Sequence, residues 1–166
     1  MTLTLDLPAE SNEDIPGWVD LTFEGDPPFD MHIFRVDKVE DPKHPTNLID
    51  PPDDLAGWLA SHSGLTLVAP SKAVRIGGLD ATQLDVRVGQ KDVFFGPIPG
   101  VDNPLHSHSP DVGYFAVGAR QVARLIVVAV GGRQVVLYMD VHAEGTVHRK
   151  ESLDALQPLI DSIVWH

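Results

Sequence analysis

The chain has 166 residues, 43% of them hydrophobic, with no cysteine and a formal net charge of −12 from 24 acidic and 12 basic side chains. The length suits one domain with its own core, and the lack of cysteine removes disulfides, thiolate nucleophiles and cysteine-ligated metal centres. The acidity opposes nucleic-acid phosphates and anionic lipid, no apolar run reaches the ~18 residues of a membrane span, and the first ten residues lack the basic start and apolar run of a secretory leader, so the expectation is a single cytoplasmic domain over 1–166 with no nucleic-acid partner and no membrane insertion.

In chain order, Thr2 to Leu7 alternates Leu3, Leu5 and Leu7 with polar residues and reads as a short edge strand. Trp18 to Phe23 and Met31 to Val36 read as a hairpin joined by Glu24-Gly25-Asp26-Pro27-Pro28, whose glycine and prolines end a ladder. From Asp37 to Asp50 charges and two prolines interrupt any apolar pattern, which predicts a connecting loop. Asp50 then reads as an N-cap, Pro51 as the first helical residue, and Asp53 and Asp54 as complements to the helix dipole. Leu55, Trp58, Leu59 and His62 fall at i, i+3, i+4 and i+7 and predict one buried stripe, with Gly64 as a left-handed stop. His62, on that stripe, reads as a core-edge imidazole with a satisfied partner.

Leu65 to Val68 predicts a short strand, and Val74 to Ile76 pairs with Thr82 to Val88 across Gly77-Gly78. Gln83, Asp85 and Arg87 alternate with Leu84, Val86 and Val88, which predicts one wet face. Gly89 to Gly113, rich in glycine and proline, reads as a long surface excursion and so as the first place to seek a site. Val122 to Val130 and Gln134 to Val141 flank Gly131-Gly132; with Val130 opposite Arg133, Val128 meets Val135 and Ile126 meets Leu137, while Leu125, Val127 and Val136 occupy the other side. Both faces are apolar, so the sheet must be covered twice. A C-terminal helix with Ser152 as its N-cap carries Leu156, Leu159, Ile160 and Ile163, with Pro158 either kinking a helix that runs from Leu153 or restarting it. The fold class expected is therefore α+β, a twisted, mainly antiparallel sheet covered by helices on both faces.

The order of that first helix, Leu65-Thr66-Leu67, Ile76-Gly77-Gly78-Leu79, Gln83-Leu84-Asp85-Val86, the long hairpin and Leu159-Ile160-Asp161-Ser162-Ile163 resembles uncharacterised bacterial proteins, many actinobacterial, of the PsbP-like αβα sandwich fold. The resemblance covers roughly residues 50 to 165, and its motifs are structural. That fold includes the extrinsic photosystem II subunit PsbP, a Ran-binding nuclear transport factor and mycobacterial lipoproteins, so the resemblance implies accessory or binding roles. No functional residue of those proteins matches a position here.

Three sets of residues offer sites. Phe94, Phe95, Tyr114 and Phe115 bracket the long excursion and offer an apolar surface for a protein or small-molecule partner. His106 and His108 share a face if extended, and with Asp111 they offer ligands for a divalent metal with hydrolytic chemistry. Asp140, His142, Glu144 and His148 form a further acid and imidazole group at the exit of the last hairpin. No serine sits in a nucleophile elbow, and the glycine pairs lack phosphate-loop spacing. The leading reading is thus a non-catalytic binding or accessory module without a cofactor, with a homodimer through a sheet edge or the aromatic patch as a secondary expectation; the alternative is a metal-binding protein using the histidine loop.

Overall fold

The structure, a computed structural model, describes residues 3–4, 10–12, 18–23, 29–41, 43–89, 93–99, 112–117, 122–141, 153–154 and 156–165. Short strands β1 (Leu3–Thr4) and β2 (Glu10–Asn12) precede a hairpin of β3 (Trp18–Phe23) and β4 (Phe29–Arg35). Next come β5 (Val39–Asp41), β6 (His44–Ile49) and helix α1 (Leu55–Ser61), followed by β7 (Leu65–Leu67), β8 (Lys72–Ile76) and β9 (Leu79–Val88). Strands β10 (Val93–Pro99) and β11 (Val112–Val117) lead to β12 (Val122–Val130) and β13 (Arg133–Val141), and helix α2 (Gln157–Ser162) ends in β14 (Val164–Trp165).

The main sheet runs β2-β3-β4-β13-β12-β9-β7, with β8 sharing the outer edge of β9 beside β7. A four-stranded sheet runs β11-β10-β5-β6, and β1 pairs with β14. Each of these pairings is antiparallel. The class shown is a mostly antiparallel sheet protein with few helices, α+β.

The central hairpin forms in the register its sequence dictates: Val130 opposite Arg133, Val128 opposite Val135, Ile126 opposite Leu137. Gly131 and Gly132 supply the two positive φ angles, 58° and 77°, that its two-residue turn requires. Strand alternation then divides the core in two. Leu84, Val86, Ala123, Leu125, Val127 and Val136 belong to one cluster together with Leu55 and Leu59 of α1. Ala81, Ile126, Val128, Val135 and Leu137 belong to the other, with Leu153, Leu156, Leu159, Ile160 and Ile163 from the C-terminal segment. Burying one such Leu or Ile is worth roughly 1.5–3 kcal/mol, so each set of apolar contacts holds its segment firmly.

Tertiary contacts change several local expectations. Helix α1 starts later than its apparent cap: Asp54, not Asp50, accepts the Gly57 N–H at 2.8 Å, and Asp50 instead binds Lys38. It also stops without a left-handed residue, because His62 turns extended (φ −67°, ψ 129°) and its N–H donates to Leu59 O. The stretch from Asp37 to Asp50 is not a loop; Val39, fully buried, anchors β5 against the α1 cluster, and β6 pairs alongside. Nor is Gly89 to Gly113 wholly an excursion, since β10 accommodates Pro97 and Pro99 by slipping register after Phe95. The expected wet face of β9 is largely dry: Gln83 and Asp85 are buried beneath the C-terminal segment and only Arg87 is exposed. Pro158 lies in the first turn of α2, where its missing N–H is harmless, so it restarts the helix after Leu153 and Asp154.

Candidate functional site

The four aromatic residues chosen from sequence fall on neighbouring strands. Phe95 stands opposite Phe115, Phe94 opposite Ala116, and Pro97 opposite Tyr114. Adjacent positions in a strand belong to opposite faces, so the four are shared between two faces of this hairpin rather than gathered on one. Phe95 also pairs with Val39, and Val39 with Ile49. A single apolar row, Phe115, Phe95, Val39, Ile49, therefore crosses the four-stranded sheet from edge to edge, joined to the core at Val39 and reaching the surface at Ile49.

Sequence reasoning missed a polar row on the main sheet. Asp20 of β3, His32 of β4 and Tyr138 of β13 are successive cross-strand partners. His32 Nδ1 lies 2.5 Å from Asp20 Oδ1, and its ring centroid is 5.4 Å from that of Tyr138. The next row holds Thr22, Asp30 and Asp140, so Asp140 of the expected acid and imidazole group lies beside this dyad. A signal was present: with the turn centred on Asp26, Phe23 faces Phe29, which puts Asp20 opposite His32. Chemically, a carboxylate that fixes one imidazole nitrogen orients the ring, the arrangement used for proton transfer and equally for a cross-strand tie.

Two further polar pairs are buried and join elements. Arg124 is directly opposite Asp85 and donates to both its oxygens, Nε at 2.8 Å and Nη2 at 3.0 Å, then reaches Asp154 Oδ1 at 2.8 Å and Leu153 O at 2.7 Å. Burial alone would lower the guanidinium, but the hydrogen bonds and charges of Asp85 and Asp154 outweigh it and hold it above the ordinary arginine value. His62, expected as a satisfied core-edge imidazole, is that: its Nε2 lies 2.9 Å from Glu40 Oε1, and both residues are buried.

His106, His108 and Asp111 lie outside the described residues, as do His142, Glu144 and His148. Among the described residues no three His, Asp or Glu side chains are grouped so as to hold a metal ion. An open cleft of about 290 Å³ separates the Gly132–Gln134 turn from Pro51–Asp53, with Asp37 and Arg133 on its walls; it is at the small end of the range for ligand pockets. Among the described residues, no helix is long and apolar enough to cross a membrane.

Comparison of the chain with protein-family models, curated proteins and solved structures finds no match.

Proposed function

We propose that the protein is a non-catalytic binding or accessory module, an αβα sandwich of the PsbP-like kind, that takes an apolar partner, a protein segment or a small molecule, at the hairpin of β10 and β11. The observation that carries this reading is the apolar row Phe115, Phe95, Val39, Ile49 across the four-stranded sheet. Strand β11, at the edge of that sheet, has the sequence VGYFAV, without a charge or a proline to discourage another strand from pairing. A homodimer through this edge belongs to the same reading. The sandwich arrangement is supported by the division of apolar residues, those of α1 with one cluster and those of α2 with the other. The non-catalytic reading is supported by the use of buried ionisable groups as ties: Arg124 binds sheet to C-terminal segment, and His62 binds α1 to β5.

The test uses Nile red, a neutral apolar dye that the charge of −12 does not repel. Saturable enhancement of its emission by the wild-type chain, lost in a Phe95→Ser, Phe115→Ser double variant that keeps the wild-type circular dichroism, is the expected result. Binding that is unaltered in the double variant would move the site elsewhere. No saturable binding, together with a light-scattering mass that stays at 18.1 kDa, would remove both the apolar-ligand and the homodimer forms of the reading.

A further inference from the structure

His62 closes α1 and opens the turn into β7. Its carbonyl accepts the Leu65 N–H at 3.0 Å, and the Gly64 carbonyl accepts the Gly89 N–H at 2.9 Å, so the turn fastens α1 to the end of β9. Both nitrogens of the buried ring are engaged: Gly64 N–H donates to Nδ1 at 3.1 Å, and Nε2 faces Glu40 Oε1. A backbone amide can only donate, so Nδ1 must present a lone pair, and the proton of the neutral ring then sits on Nε2 and points at Glu40.

We propose that this geometry makes His62 a proton-operated switch of the turn. A second ring proton has only Nδ1 to occupy, where it meets the Gly64 N–H head on. Protonation therefore breaks the Gly64 bond and loosens the turn between α1 and β7. The bond from Nε2–H to Glu40, then between opposite charges, is strengthened and keeps β5 in place. Acid thus releases one side of the imidazole and tightens the other. Among the described residues the titratable group that meets the ring is Glu40, from β5; from α1 the ring meets Trp58, 4.8 Å away between centroids, which does not titrate. Lys38, two residues before Glu40, is bound to Asp50.

The experiment is long-range proton–nitrogen correlation of the imidazole rings in ¹⁵N-labelled full-length protein, with amide exchange at Gly64 followed from about pH 8 to pH 5, the range in which histidine changes charge. At the upper end His62 is expected to show a protonated Nε2 and a bare Nδ1. As acid adds the second proton, the protection of the Gly64 amide should fall about fivefold, the factor one net hydrogen bond confers, while the Val36 amide, bonded to Gln134 O, keeps its protection. A His62→Gln variant, which offers Glu40 a donor but takes no proton, should hold Gly64 protection constant with pH. A proton on Nδ1 at pH 8 would overturn the proposal, as would Gly64 protection that ignores the titration. So would a ring that stays singly protonated throughout the range. The wild-type spectra decide the matter even if the variant fails to fold.

Discussion

Arg124 and Asp85 face each other across β12 and β9, joined by two parallel hydrogen bonds in a place where both side chains are almost fully buried. A buried pair of this kind adds little over an apolar pair of equal size, yet removing one partner strands the other. Arg124→Met should therefore lower unfolding stability by about 3 kcal/mol, and Arg124→Met with Asp85→Leu should recover most of that loss. Asp154, half-exposed at the rim, should cost under about 1 kcal/mol when changed to Ala. Urea denaturation of the three variants and wild type measures all of this; a double variant as weak as Arg124→Met alone would refute the account.

The same guanidinium predicts a flat pH profile. Its folded-state value is raised, so its stabilisation is complete below the unfolded-state value and is lost only as pH climbs through the folded one, in the strongly alkaline range. Between about pH 7 and pH 10 the stability difference between wild type and the Arg124→Met, Asp85→Leu double variant, which leaves no stranded carboxylate, should be constant. A difference that shrinks across that window would mean the pair is not charged as described.

Gly77 and Gly131 are matched turn positions, with φ of 56° and 58°, that differ in what lies beside them. A Cβ on Gly131 meets nothing within 4 Å, whereas one on Gly77 falls 2.3 Å from Trp165 Cδ1, and Trp165 Nε1 donates to Ile76 O at 3.0 Å. Gly131→Ala should cost about 1 kcal/mol for the left-handed backbone alone, and Gly77→Ala at least about 1 kcal/mol more for displacing the indole. In a Trp165→Ala background most of the gap between the two substitutions should close by thermal denaturation, leaving the smaller cost of the 3.0 Å approach of the Gly77 Cβ to Ile163 O.

His32 and Asp20 form a partly exposed cross-strand pair beside Tyr138. A double-mutant cycle of His32→Ala and Asp20→Ala should give a coupling of about 0.5–1 kcal/mol, the size of a sheet tie. A coupling near zero would show that the dyad does not tie the sheet and would return it to the list of acid–base candidates.

For the histidine loop, the binding-module reading expects His106→Ala with His108→Ala to leave zinc- and nickel-dependent thermal shifts as they are in wild type. A metal that stabilises wild type and not the double variant, or near-stoichiometric metal in natively purified protein, would favour the metal-binding alternative.

Local sequence by itself determined the central hairpin to the residue: two glycines able to hold positive φ, flanked by apolar residues on both faces, admit one turn and one register. It determined the apolar stripe of α1 for the same kind of reason, since Leu55 and Leu59 share a helical face. What the tertiary structure decided lay where the deciding partner is distant in the chain. Strand β5 exists because Val39 is buried by α1 and pairs with Phe95, more than fifty residues on, and no local pattern records that. Asp85 reads as solvated by alternation, yet Arg124 and the C-terminal segment cover it; the charge inside the apolar run Val122 to Val130 is the sign that a partner must exist. Periodicity reports which way a side chain points, and only the packed chain reports what it meets there.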